Sequence, residues 1–305
     1  MPRDQNLRLS FAQERLWVID RLGLGSIAYN VPASFRLAGR LDVSALERSF
    51  SEIIRRHEIL RTTFGEKGGN PVQFIHLPKE LKLDLRDLGG LPEAEREAEL
   101  LRHASREARL PFDLAEGPLL RASLLRLSDE EHVLLFTMHH IIFDGWSMGV
   151  LLGELSVLYK AFSEGNPSPL PELSIQYGDF AVWQRQWLQG EVLESLLSYW
   201  KRKLEAAPPI LEIPSDRPRP SVQTHRGASQ SFVISKTVSE GLKSLSRKEG
   251  GTLFMLLLSA LKTLLYRYTS QEDIVIGTPI ANRNRVEIQP FAARNFTPPV
   301  GIDAG

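Results

Sequence analysis

The sequence has no cysteine among its 305 residues. Disulfide staples, cysteine-ligated zinc, iron–sulfur clusters and a cysteine nucleophile are therefore excluded, and a reducing compartment is expected. Net charge is also absent, since 37 lysines and arginines offset 37 aspartates and glutamates. That balance removes the usual electrostatic reason to expect a nucleic-acid or anionic-membrane partner. The most apolar segment, Leu253 to Leu265, is interrupted by Lys262 and is shorter than the ~20 residues that span a bilayer. The amino terminus, Met1 to Asn6, lacks the apolar core of a secretory signal. A soluble, cytoplasmic protein is the expectation. Neither a Gly-x-Gly-x-x-Gly fingerprint nor a Gly-x-x-x-x-Gly-Lys loop is present, which argues against nucleotide binding.

What is present suffices for a sizeable core. Hydrophobic residues make up 42% of the chain, and its length suggests two domain-sized units at ~150 residues each. From Tyr29 to Leu37 apolar residues recur at every second position, which predicts a half-buried strand. Ser44-Ala45-Leu46-Glu47 has capping-box form and opens a helical pattern through Leu46, Phe50, Ile53 and Ile54. Ile59–Phe64 and Val72–Leu77 flank a turn-rich stretch and predict a hairpin. A charged helix is expected from Pro92 to Arg109. An antiparallel strand pair, Leu119–Leu127 and His132–His139, should follow, and then a helix capped by Ser147. The linker Gly165–Pro171 is rich in proline, so a division is placed near residue 173, giving units 1–173 and 174–305. Beyond it the patterns predict a Trp-rich helical stretch from Ile175 to Leu204 and an extended crossing from Pro208 to Pro220. They also predict strands at Ser229–Ile234 and Asp273–Thr278, and helices at Val238–Lys248 and Thr252–Tyr268. The mixture indicates an α+β architecture.

The chemistry concentrates at the end of the second strand of that pair, where His139-His140-Ile141-Ile142-Phe143-Asp144-Gly145 enters a loop. An imidazole there can take a proton from an attacking amine or alcohol and return it later. Two adjacent histidines at a strand end are more often ordinary structural polar residues, so the pair alone decides little. Metal binding is disfavoured because neighbouring strand residues point to opposite faces. Gly145-Trp146-Ser147-Met148-Gly149 fits the Gly-x-Ser-x-Gly elbow of serine hydrolases, with His225, Asp179 and Asp216 downstream. The strand pattern stops at His139, well before Ser147, so the match reads as accidental.

Met138 to Ser147 resembles the His-His-x-x-x-Asp-Gly core of the condensation domains of nonribosomal peptide synthetases. Four further motifs stand in that family's order: Ser10–Trp17, Arg56–Phe64, Tyr177–Trp183 and Ile276–Arg283. The resemblance spans about residues 7 to 287. It implies a two-lobed fold like chloramphenicol acetyltransferase, with the first lobe complete and the second incomplete. It also implies amide formation between two carrier-bound aminoacyl or peptidyl thioesters. His140 is then the catalytic residue, with His139 supporting the loop and Gly145 offering a backbone N–H to the oxyanion. Asp144 is the structural acid, paired with Arg61. Arg15, Trp17, Tyr177, Asp179 and Trp183 match motif positions and are read as packing residues. The expected partners are upstream and downstream peptidyl carrier proteins with an adenylation domain as a further neighbour. No cofactor is bound directly, because the substrates ride on phosphopantetheine arms. The first motif and Ala28-Tyr29-Asn30-Val31-Pro32 resemble the subtype that joins an L-donor to an L-acceptor.

After Glu287 the family pattern is lost, and a C-terminally truncated second lobe is expected, with apolar surface of Leu253–Leu265 uncovered. Such a chain should be marginally stable and weakly active. The alternatives are an inactive fragment that only docks carrier proteins, a carrier-independent acyltransferase, or a serine hydrolase acting through Ser147.

Overall fold

The structure is a computed structural model and describes residues 7–23, 27–218, 228, 230–278 and 300–301. The elements in chain order are β1 (Leu7–Arg8), α1 (Phe11–Arg21), β2 (Asn30–Ala38), α2 (Val43–Arg56), β3 (Thr62–Lys67), β4 (Asn70–Ile75), β5 (Asp84–Asp87) and α3 (Glu93–Arg109). They continue as β6 (Leu120–Ser128), β7 (Glu131–His139), α4 (Gly145–Ser163), α5 (Tyr177–Trp187), α6 (Gly190–Leu204), α7 (Lys236–Lys248), α8 (Leu253–Thr269), β8 (Gly277–Thr278) and β9 (Val300–Gly301). The architecture is α+β, as expected.

The central sheet has the order β2-β7-β6-β5. Its middle strands are apolar on both faces because both faces are covered. On one face Leu120, Leu124, Leu134, Phe136 and Met138 join Phe50 and Ile53 of α2 and Leu151, Leu155 and Leu158 of α4. On the other, Leu125, Leu127, Val133 and Leu135 pack with Leu88 and with Leu100 of α3. β2 is an edge strand and keeps the alternating pattern of one buried face. Its register with β7 places Asn30 opposite His139. β5 runs parallel to β6. Its four residues, Asp-Leu-Arg-Asp, are all exposed and carry no strand periodicity, so sequence pattern does not reveal it.

The hairpin is present as β3 and β4, in a second sheet of order β1-β4-β3. Gly68 and Gly69 form its two-residue turn at φ 58° and 77°, the pair of positive angles that a type I′ turn requires. Glu58–Arg61 is a short 3-10 turn, so the strand does not begin at Ile59. α2 begins one residue before Ser44 and is capped by Asp42, whose Oδ1 accepts the Ala45 N–H at 2.9 Å. The Ile175–Leu204 stretch is two helices, α5 and α6, interrupted before Gly190 at φ 53°. Residues 231–234 form no strand, with Phe232 and Val233 largely exposed, and Asp273–Thr278 contributes only the short β8.

The first compact unit runs past residue 173 to Val192, because α5 carries Tyr177 and Phe180 into the first core. In the second unit α8 is helical as expected. None of its residues is buried, and Phe254, Met255, Leu264 and Tyr268 are exposed. Among the described residues no helix is long and apolar enough to cross a membrane. His225, Pro279–Arg283 of the fifth motif and residues 288–299 lie outside the described residues.

A buried ionic cluster ties α2 to α4. The Glu154 carboxylate accepts from Arg56 Nη2 at 3.2 Å and pairs with His57 Nε2 at 2.9 Å. Arg56 Nη1 also donates to the Pro171 carbonyl at 2.5 Å, and Gln176 Nε2 donates to the Arg56 carbonyl at 2.7 Å. Burial works to raise the Glu154 pKa, and the contacts with His57 and Arg56 outweigh it, leaving the carboxyl below its usual 4.5. Its contribution to stability is therefore fully present above that value and fades as pH falls below it. Glu154→Ala removes the carboxylate that offsets the buried Arg56 guanidinium and bonds the His57 ring. It should destabilise the first unit by about 3–5 kcal/mol, read as a lower midpoint in urea unfolding at neutral pH.

Candidate active site

The site is built where β7 ends. His139 N–H still belongs to the sheet, donating to the Leu119 carbonyl at 3.0 Å. His140 N–H donates to the Tyr29 carbonyl at 2.8 Å, one step beyond the Asn30–His139 pair. The chain then turns tightly, with Ile142 N–H bonded to the His139 carbonyl at 3.0 Å. Ile141, Ile142 and Phe143 are almost wholly buried, so they clamp the loop to the first core.

Asp144 is the N-cap of α4, at φ −139° and ψ 178°. Its Oδ1 accepts the Ser147 N–H at 2.8 Å and the Ser147 hydroxyl at 2.5 Å, and Ser147 Oγ accepts the Asp144 N–H at 3.3 Å. This reciprocal box replaces the expected cap by Ser147, which sits three residues inside as its partner. Ser147 is fully buried and its hydroxyl is directed to Asp144, a geometry unlike an exposed nucleophile elbow. Arg61 makes contacts with the His76 carbonyl, to which it donates, and with Glu58, 3.7 Å away. They close the 3-10 turn against β4. Gly145 opens α4 and is exposed, and a Cβ there would meet nothing within 4 Å. Its N–H is among the first-turn donors that a helix leaves without an internal partner.

The two histidines are in opposite states of engagement. His139 Nδ1 accepts the Ile141 N–H at 3.1 Å, which puts its proton on Nε2. Burial, and secondly the neighbouring His140, push its pKa down to about 4, so it is neutral at physiological pH. His140 Nδ1 lies 2.6 Å from the Phe143 carbonyl. A carbonyl only accepts, so Nδ1 carries a proton, and in a neutral ring the lone pair is then on Nε2.

Aromatic groups pack around the pair. Phe112 meets His139 edge-on at 6.1 Å, and the Arg121 guanidinium lies 3.7 Å from the Phe112 ring centre. Arg121 Nη2 donates to the Leu110 carbonyl at 2.8 Å, and Asn30 Nδ2 to the Ala108 and Leu110 carbonyls at 2.8 and 2.9 Å. These two side chains close the C-terminal end of α3 beside the site. Sequence pattern alone does not single out Asn30, Phe112 or Arg121, because their relevance follows from strand order. The motif residues Tyr177, Asp179 and Trp183 pack as expected. Tyr177 OH meets Ser10 Oγ at 2.9 Å, Asp179 Oδ2 accepts the Gln176 N–H at 2.9 Å, and Trp183 stacks on Trp187. Among the described residues no group of three histidine or carboxylate side chains is placed to hold a metal.

The family model "Condensation domain" matches residues 3–292. The chain belongs to the condensation domain family. This condensation domain is 53% identical over 289 residues to a component of the linear gramicidin synthase of Brevibacillus parabrevis, covering 95% of this chain and 6% of that protein. It is 42% identical over 305 residues to phosphinothricin tripeptide synthetase PhsC of Streptomyces viridochromogenes, covering 99% of this chain and 28% of that protein. The chain thus spans less than a third of these curated relatives. Among solved structures, the X-domain from teicoplanin biosynthesis superposes with a TM-score of 0.86 at 28% identity. That match covers 98% of this chain and 66% of that one. A four-domain nonribosomal peptide synthetase bound to AMP and glycine gives 0.82 at 27% identity, over 98% of this chain and 22% of that one. The fold is the chloramphenicol acetyltransferase-like fold of condensation domains.

The depressed pKa of His139 has a consequence for stability. Between its folded value of about 4 and the ordinary 6.5, the unfolded chain binds a proton that the folded chain rejects, so stability rises with pH across that window. The gain approaches about 3 kcal/mol at the usual conversion of 1.36 kcal/mol per pKa unit. Unfolding midpoints measured from pH 4 to 7 should show it, and His139→Gln should flatten the slope.

Proposed function

We propose that this chain catalyses amide formation between two carrier-bound thioesters. The observation that carries the reading is the tautomer of His140, held with Nδ1–H on the Phe143 carbonyl so that Nε2 presents a lone pair. In the proposed step the amine nitrogen of the downstream aminoacyl thioester attacks the upstream thioester carbonyl. His140 Nε2 takes the proton that the amine gives up, and the tetrahedral intermediate collapses with cleavage of the C–S bond. The same proton then goes to the departing sulfur, so a thiol leaves and His140 returns to its neutral form. Gly145 N–H, at the positive end of α4, is a donor suited to the charge that develops on the carbonyl oxygen.

The partners of this reading are an upstream and a downstream peptidyl carrier protein, with an adenylation domain as a further neighbour, working in the cytoplasm. The phosphopantetheine arms belong to the carriers and enter as substrate. The division into two lobes near residue 173 belongs to the same proposal. So does the choice of an L-configured donor and an L-configured acceptor, supported by the wording of Ser10–Trp17 and Ala28–Pro32.

The test is amide formation between two aminoacyl-loaded carrier proteins, followed by intact-protein mass spectrometry. His140→Ala should reduce the rate by roughly 10²–10⁴-fold, the usual size of a general acid–base contribution, without changing the thermal melt. A D-aminoacyl donor should be used more slowly than its L-form. Full activity in His140→Ala, or no product from a folded native chain, overturns the reading.

A further inference from the structure

Both histidines share one aromatic neighbour. Tyr29 stands one residue ahead of β2, and its carbonyl, not its side chain, makes the hydrogen bond to His140 N–H. The backbone therefore delivers whatever side chain occupies position 29 to the side of the loop. The Tyr29 ring centroid lies 6.3 Å from that of His139 at an interplanar angle of 55°, and 6.5 Å from that of His140 at 40°. Both separations fall within the range of packed ring pairs. The residue is half-buried.

A ring neighbour at this distance limits how far the His140 imidazole can turn about its Nδ1 contact with the Phe143 carbonyl. Tyr29 is well placed to supply this, since its Cα is held by the same ladder that holds His140. We propose that Tyr29 is a positioning residue whose ring holds the His140 imidazole in the orientation that keeps Nδ1 on the Phe143 carbonyl. The same ring covers His139 on one side while Phe112 covers it on another, which keeps that histidine dry. The catalytic part of this assignment rests on the reading of His140 given above. The orientation of the imidazole does not.

The test uses the full chain labelled with ¹⁵N-histidine, with the His140 signals assigned by their loss in His140→Gln. The native chain and Tyr29→Phe should both show His140 protonated at Nδ1. In Tyr29→Ala the two His140 ring nitrogens should move toward averaged shifts as the imidazole samples other orientations. The His139 titration midpoint should rise from about 4 toward the ordinary 6.5. In the amide-forming assay Tyr29→Ala should lose roughly 10- to 100-fold in kcat, the scale of a small misplacement of a reacting group. KM for both loaded carriers should stay unchanged, and Tyr29→Phe should restore the rate. If Tyr29→Ala does not fold, Tyr29→Leu, which keeps the bulk without the aromatic face, takes its place in the same comparison. An unaltered His140 spectrum in the folded variant overturns the proposal. So does a loss in Tyr29→Phe as large as in Tyr29→Ala, which would assign the role to the hydroxyl. A native chain that makes no amide would overturn the condensation reading instead, and the imidazole spectra would still decide the role of the ring.

Discussion

The antiparallel ladder between β2 and β7 is the constraint on which the site depends. It joins segments more than a hundred residues apart in the sequence, and its register, Asn30 opposite His139, determines what surrounds the histidines. A one-residue slip would exchange the two faces of β7 and move His139 to the opposite side of the sheet. The buried loop that follows makes such a slip costly, because Ile141, Ile142 and Phe143 already occupy the core. The His140 N–H bond to Tyr29 is the last rung of that ladder, so the sheet ends where the loop and its chemistry begin.

From that rung two short hydrogen-bonded loops divide the work. One is the reciprocal cap between Asp144 and Ser147, which satisfies first-turn donors of α4 and orients the helix toward the histidines. The other is the pair of imidazole contacts, where His139 accepts from the backbone and His140 donates to it. α4 is held again at Glu154, nine residues along, by Arg56 and His57. Asp144, the acid of the sequence motif, caps the start of its own helix. A further tie between α4 and the second motif runs from Glu154 to Arg56 and His57.

Much of this was legible in the residues. The period-two pattern over Tyr29–Leu37, the twin apolar runs that became β6 and β7, and the helices around Phe50 and Leu151 all appear within a residue or two of expectation. These elements bury one or both faces strongly, and burial writes itself into the pattern. The misses share a different physics. Asp42 and Asp144 displaced Ser44 and Ser147 as caps because an aspartate with an extended backbone, three residues before the N–H it accepts, competes directly with a nearby serine. β5 escaped notice because a fully exposed strand needs no alternation. Tyr29, Phe112 and Arg121 become neighbours of the histidines only through strand order, which no local pattern encodes.

The opposed tautomers of His139 and His140 also bear on how the domain coexists with the trace metals of a cell. Zinc, copper and nickel bind a histidine through an imidazole lone pair. Here the lone pair of His139 is taken by the Ile141 N–H, and its other nitrogen carries the proton. The hydrogen bond that fixes the His139 ring thereby also withdraws that imidazole from coordination.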